Sequence, residues 1–148
     1  MNLLAADTKI IHFFRRIYMP VARIALFLVY FWFGALKVVG YSPAGPMVQT
    51  LFEKTIPFMT FPTFIILFGI FEMIIGLLFL IKGCERIVIP LLFLHMITTF
   101  MPLVLMSGEM WSGFLVPTLE AQYILKNSVL IATAIGIAAH LHPLKSKV

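Results

Sequence analysis

Residues 61–81, FPTFIILFGIFEMIIGLLFLI, form a continuous apolar segment that contains a single charged side chain, Glu72. A helix that spans a bilayer needs about 20 mostly apolar residues. The segment therefore predicts a transmembrane helix, and its carboxylate predicts a polar function or a buried partner. Three other segments also have the length and composition of spans: residues 20–39, 87–106 and 117–141.

The composition excludes an ordinary soluble domain. Hydrophobic residues make up 61% of the 148 residues and charged residues only 11%, with a mean hydropathy of +1.05. Soluble domains are about half apolar and about a quarter charged. The net charge of +5 does not indicate nucleic-acid binding, because the basic residues flank the apolar segments instead of clustering with aromatics on a polar face.

These segments predict an all-α fold: a single integral membrane domain that forms a four-helix antiparallel bundle. The breaks KGCER (residues 82–86) and SGEMWSGFLV (residues 107–116) are short, so neighbouring spans must run antiparallel. Pro20 suits the first turn of the first span. The basic and aromatic residues before it predict a separate interfacial helix, and residues 41–57 predict a short helix over the mouth of the bundle.

The distribution of Lys and Arg predicts the orientation. Basic residues precede the first span, occupy the loop at 82–86 and follow the last span, so an even number of spans places them all on one face. Short cytoplasmic loops are enriched in Lys and Arg. We therefore expect both termini to be cytoplasmic and the protein to lie in a bacterial inner membrane.

The polar residues inside the spans predict a site. Glu72 shares a helical face with Gly69 and Gly76, which indicates that it points into the bundle, because glycines allow the closest helix approach. His95 and Lys126 lie at similar depths in their own spans, so the three groups are expected to converge. Two interpretations stay open: a structural ion pair between Glu72 and Lys126, or a functional cluster.

Several other residues are candidates at the edge of this cluster. Glu120 and Lys37 lie near the outer ends of their spans, as anchors or as part of the site, and Trp32 belongs to the aromatics that either line a pocket for a flat ring or pack ordinarily. No metal-binding motif is present, so no metal site is predicted. The single cysteine, Cys84, excludes dithiol chemistry within the chain.

Three segments resemble the DoxX family of small four-helix membrane proteins. They are RIALFLVYFWFGALKVVGYSPAGPMV (residues 23–48), FEMIIGLLFLIKG (residues 71–83) and QYILKNSVLIATAIG (residues 122–136). The resemblance implies a redox setting, because some members are small subunits of thiosulfate:quinone oxidoreductase, others accompany oxidative-stress systems and distant eukaryotic relatives act as cargo receptors or chaperones. The residues on matching motif positions are Arg23, Lys37, Glu72, Lys126 and Asn127.

Residue pattern and resemblance together predict an accessory membrane subunit that handles a quinone or a similar amphipathic molecule. Glu72 and His95 are expected to exchange protons with the ring oxygens. The expected ligand-binding residues are Lys126, Asn127, Tyr123, Lys37, Trp32 and Glu120. A partner subunit would supply the electron carrier. The alternatives are a small carrier that acts as a homo-oligomer, and a scaffold or assembly factor without catalysis.

Overall fold

The first helix is much longer than one span. The structure is a computed structural model that describes residues 3–56 and 58–143, and in it α1 runs continuously from Leu3 to Val38 with Pro20 inside the helix. The prediction of a separate interfacial helix before Pro20 is therefore wrong, because the two predicted segments form one continuous helix. Proline removes one backbone hydrogen bond, and here the helix continues past that loss.

Four helical segments are long and apolar enough to span a membrane: Ala6–Val38, Phe61–Leu80, Glu85–Leu105 and Leu119–Ala139. This confirms the predicted all-α, four-helix membrane fold. The second span is α3 (Phe61–Leu80). The third comprises α4 (Glu85–Phe100) and α5 (Pro102–Leu105), and the fourth comprises α7 (Leu119–Lys126) and α8 (Ser128–Ala139).

The spans pack in a ring in which α1 contacts α3 and α8, and α4 contacts the same two helices. The closest approach is between α1 and α3. A Cβ atom built on Gly69 would lie 2.6 Å from the carbonyl oxygen of Gly34, and one on Gly76 would lie 2.9 Å from the backbone nitrogen of Phe31. The prediction that Gly69 and Gly76 admit a neighbouring helix is confirmed, and that helix is α1.

Short elements cover one end of the bundle. Helix α2 (Gly45–Thr55) is the predicted short helix, and its Phe52 is buried against Phe61 and Phe64 of α3. Helix α6 (Ser107–Met110) leads into a hairpin of β1 (Trp111–Gly113) and β2 (Val116–Pro117). Met106, Met110, Ala121 and Ile124 form a small apolar core beneath these elements, separate from the main core at the other end.

The opposite end of the bundle holds the N-terminal half of α1, the α3–α4 loop and the C-terminal end of α8. We call it the basic end, because Lys9, Arg15, Arg16, Lys82 and Arg86 all lie there. Lys145 and Lys147, which also supported the predicted orientation, lie outside the described residues. The covered end carries Glu53, Lys54, Glu109 and Glu120.

Candidate functional site

A buried polar network lies between α1, α3 and α4. Its centre is Glu72, which is 5% exposed and accepts hydrogen bonds from Lys37 Nζ at 2.9 Å to Oε1 and 2.6 Å to Oε2. His95 Nε2 lies 2.9 Å from Oε1 of the same carboxylate. We call Tyr30, Lys37, Glu72 and His95 the Glu72 network.

The local fold explains why these side chains meet. Lys37 lies near the C-terminal end of α1 and its Cβ packs 3.0 Å from the position of a Cβ on Gly69, one turn from Glu72. Helical side chains lean toward the N-terminus of their own helix. Because α1 and α3 are antiparallel, the lysine leans along the bundle toward Glu72 while the carboxylate leans toward the lysine. The glycine contact thus sets both the helix spacing and the ion pair.

The second nitrogen of the imidazole completes the network. Tyr30 is 3% exposed, and its hydroxyl lies 3.2 Å from His95 Nδ1. An ionised carboxylate can only accept, so Nε2 carries the proton that it donates to Glu72, and Nδ1 of a neutral imidazole accepts from the Tyr30 hydroxyl. The chain of contacts Lys37–Glu72–His95–Tyr30 therefore connects three titratable groups and a phenol in a low-dielectric interior.

Aromatic rings lead from α2 to this network. Phe52 packs on Phe64 at a centroid distance of 4.9 Å, Phe64 stacks on Phe68 at 5.4 Å, and Phe68 stacks on His95 at 5.2 Å with an interplanar angle of 25°. Lys37 Nζ also lies 5.7 Å from the centroid of the Phe68 ring. We call Phe52, Phe64 and Phe68 the aromatic column.

A second buried ion pair involves α1 closer to the basic end of the bundle. Arg23 pairs with Glu85, the first residue of α4, and its Nη1 donates to the Phe79 carbonyl oxygen at 3.4 Å. The position of Arg23 near the end of its span favours an interfacial anchor or a structural ion pair. The structure shows an ion pair, which joins α1 to α3 and α4 where those helices end and begin.

The structure places Glu72 and His95 together, as expected, but corrects the predicted partner of Glu72. Lys126 is exposed and lies over the ring of Tyr123, 5.0 Å from its centroid, and the Glu72 ion pair belongs to Lys37. The buried face of α7 consists of Ala121 and Ile124. Lys126 lies on the other, outward face of α7.

The other predicted ligand-binding residues also lie apart from the network. Tyr123 is 61% exposed and Trp32 is 65% exposed, with Trp32 in a shallow outward groove beside Leu28, Val29 and Phe33. Glu120 is exposed, and the Asn127 side chain donates to the Tyr123 carbonyl oxygen at 3.2 Å. Of the six predicted ligand-binding residues, the structure joins only Lys37 to Glu72 and His95.

The sequence analysis did not assign Tyr30 or Phe68 to the site. Tyr30 was detectable, because it lies on the same helical stripe of α1 as Arg23, Gly34 and Lys37, and a phenol on a buried polar stripe is a candidate partner. Phe68 carried no comparable signal, since fifteen phenylalanines are spread through the chain. Within residues 3–56 and 58–143, no group of three His, Cys, Asp or Glu side chains is arranged to hold a metal ion.

Comparison with known proteins gives no family assignment. No family model matches the chain, and no curated protein or solved structure matches it significantly. The site is therefore interpreted from its own geometry, with the DoxX resemblance as a hypothesis.

Proposed function

We propose that this chain is a DoxX-type subunit of a membrane redox complex, in which the Glu72 network exchanges protons with a quinone or a similar amphipathic ring. The observation that carries the proposal is the direct contact of Glu72 Oε1 with His95 Nε2 at 2.9 Å, beside the Lys37 ammonium. A carboxylate and an imidazole in contact form a pair that can pass a proton. Intramembrane ionisable groups of this kind mark functional sites by default.

The chemistry requires a partner. Reduction of a quinone to a quinol consumes two electrons and two protons, and the reverse reaction releases both. In the proposal the partner subunit exchanges the electrons, while His95 and Glu72 deliver or accept the protons one at a time. The Lys37 ammonium, rather than Lys126 and Asn127 from the predicted ligand-binding set, stabilises negative charge that develops on the ring oxygens.

The aromatic column supports a route by which the quinone ring reaches the Glu72 network from the side of α2. Phe68 lies flat against His95, and flat aromatic surfaces favour offset stacking with another ring. A quinone headgroup that entered between α2 and α3 would follow Phe52 and Phe64 toward the imidazole. In the proposed orientation the network opens toward the outer leaflet of a bacterial inner membrane and both termini are cytoplasmic.

The test compares bound quinone in the wild type with that in Glu72→Gln. Glutamine keeps the shape of the side chain and removes its proton exchange. We expect the purified wild type to retain quinone in solvent extracts analysed by mass spectrometry, and E72Q to lose it while staying folded, with a thermal midpoint lowered by the loss of the ion pair with Lys37. Lys126→Gln is the control and should retain quinone. Wild-type protein without quinone, or E72Q that retains it fully, would contradict the proposal.

A specific observation also favours a second candidate, a structural clamp. Among the described residues, every buried side-chain nitrogen or oxygen has a hydrogen-bond partner, so the Glu72 network is satisfied without a ligand. In this case the charges serve to fix the register of α1 against α3 in a scaffold or assembly factor. The double variant Lys37→Leu/Glu72→Leu separates the two. A clamp predicts a folded protein that keeps its function in the host cell, and a proton-exchanging site predicts a folded protein without it.

The carrier alternative, with a homo-oligomer as the working unit, stays a prediction of the sequence. Orientation is tested directly by fusing a reporter after Val148 and inserting one at Glu109. The proposal expects the first to be cytoplasmic and the second to lie on the other side. The opposite pattern would reverse the leaflet from which a ring approaches.

A further inference from the structure

A groove of about 260 Å³ lies at the basic end, between the N-terminal half of α1 and the end of α8. Its lining residues are Phe14, Arg15, Tyr18 and His140. Tyr18 and His140 stack with a centroid distance of 5.2 Å, and the Tyr18 hydroxyl donates to the Thr133 carbonyl oxygen at 3.3 Å. The groove is far from the Glu72 network and has a mixed aromatic and cationic lining.

The walls of the groove are fixed by packing. Tyr18 lies directly over Gly136, where any larger residue would collide with its ring. His140 follows the last residue of α8, and its Nδ1 donates to the Gly136 carbonyl oxygen at 2.7 Å. This bond directs the second ring nitrogen, Nε2, away from the helix. Both rings therefore have a set orientation before any ligand arrives.

The length of α1 places the groove at the membrane surface. Its 36 residues correspond to about 54 Å of helix, whereas the hydrocarbon core of a bilayer is about 30 Å thick. Counted back from Val38, about 20 residues fill the core, so Tyr18 lies at its boundary and Arg15 lies one turn beyond. Tyrosine is enriched at this boundary, and the headgroup phosphates of lipids lie just outside it.

The excess of basic residues at the basic end favours the binding of an anion. Helix α1 carries Lys9, His12, Arg15 and Arg16 before Tyr18, against the single acidic residue Asp7. Arg86 donates to the His142 carbonyl oxygen at 2.5 Å and so lies close to the end of α8 as well. Arginine presents a planar fork of donors that matches a phosphate group.

The geometry points to a binding site for one anionic phospholipid in this groove. The phosphate lies against the Arg15 guanidinium, and the upper part of an acyl chain lies along the rings of Phe14, Tyr18 and His140. Free phosphate would use only the cationic part of the lining, because aromatic walls contribute nothing to a small hydrated ion. A lipid uses both parts and is present wherever the protein is embedded.

The experiment measures the affinity of full-length protein in neutral detergent for phosphatidylglycerol by native mass spectrometry, with phosphatidylcholine as the neutral lipid. We expect one phosphatidylglycerol to be retained in preference to phosphatidylcholine. Arg15→Gln should weaken this binding at least about fivefold more than Arg16→Gln does, because a basic side chain near the surface contributes roughly that factor. Arg16 is the matched control: it is also exposed, carries the same charge and does not line the groove.

Three results would overturn the inference. Equal losses of phosphatidylglycerol affinity in R15Q and R16Q would show that the basic end attracts the lipid by its overall charge and not through the groove. Displacement of the lipid by equimolar inorganic phosphate would show a free-anion site. Wild-type protein that binds the two lipids equally would show no headgroup recognition. Because both arginines are exposed, each variant should keep the wild-type thermal midpoint in neutral lipid, and this checks that the comparison is made on folded protein.

Discussion

Helix α1 carries two buried ion pairs on one face, and they differ in depth. Lys37 pairs with Glu72 in the middle of α3, whereas Arg23 pairs with Glu85 at the first residue of α4. The paired side chains are similarly hidden from solvent, with exposures of 9% and 7% in the first pair and 12% and 9% in the second. Burial alone therefore does not distinguish them.

Their surroundings do distinguish them. The Glu72 carboxylate contacts His95, and His95 in turn contacts Tyr30. The second contact of Arg23, in contrast, is the backbone carbonyl oxygen of Phe79. Glu85, at the first residue of α4, can reach headgroups and water when its ion pair opens, whereas Glu72, in the middle of α3, cannot. The Arg23 pair thus has the features of an anchor, and the Glu72 network has the buried carboxylate that the proposed function requires.

The largest expected effect comes from removing the cation of each pair. Lys37→Leu leaves the Glu72 carboxylate in the middle of α3 without a cation, which should lower the free energy of unfolding by about 3–5 kcal/mol. Arg23→Leu should cost roughly half as much, because Glu85, at the first residue of α4, lies close to the membrane surface. Unfolding in mixed micelles with increasing dodecyl sulfate measures both values. Equal losses would show that depth does not separate the two pairs.

The next effect tests the helix contact that aligns the Glu72 network. Gly69→Leu would force a side chain into the Gly34 backbone, and we expect a loss of about 3 kcal/mol by overpacking. Gly108→Leu is the control: a Cβ on Gly108 meets nothing within 4 Å, so its effect should stay within about 0.5 kcal/mol. If G69L matched G108L, the close packing of α1 on α3 would be wrong.

A smaller effect is expected at the far end of the network. Tyr30→Phe removes the hydroxyl that contacts His95 Nδ1 and should cost about 1 kcal/mol. It should also change the ¹⁵N chemical shift of that nitrogen, which a purely packing role for the ring would leave unaltered. Tyr123→Phe, at an exposed tyrosine, should change neither quantity. An unchanged His95 spectrum in Y30F would separate Tyr30 from the network.

The smallest effect distinguishes two lysines that the sequence analysis ranked in the wrong order. Lys126→Gln changes an exposed side chain and should alter the free energy of unfolding by less than about 0.5 kcal/mol. Lys37→Gln removes the cation from a buried carboxylate and should cost several times more. A K126Q loss equal to that of K37Q would restore the sequence-based pairing of Glu72 with Lys126.

The sequence alone determined the spans and the inward direction of Glu72. Contact with lipid demands apolar segments of a fixed length, so the predicted span 61–81 agrees with α3, Phe61–Leu80. Two glycines on the Glu72 face indicated a close helix neighbour, and Gly34 on α1 provides it. The start of the first helix was less predictable, because Pro20 is compatible both with a helix beginning and with a helix that continues through it.

Only the tertiary structure decided which cation meets Glu72. Lys37 lies on the polar stripe of its helix, whereas Lys126 lies one position off the stripe of Glu120, Tyr123 and Asn127, but periodicity does not say which of these faces meets Glu72. The choice depends on which helix packs against α3 and which face α7 buries. Glycine contacts bring α1 to α3, and the Ala121–Ile124 face of α7 turns inward. Lys37 is thereby buried beside the carboxylate and Lys126 is left at the surface, since a packing partner is a property of the whole bundle and not of one helix.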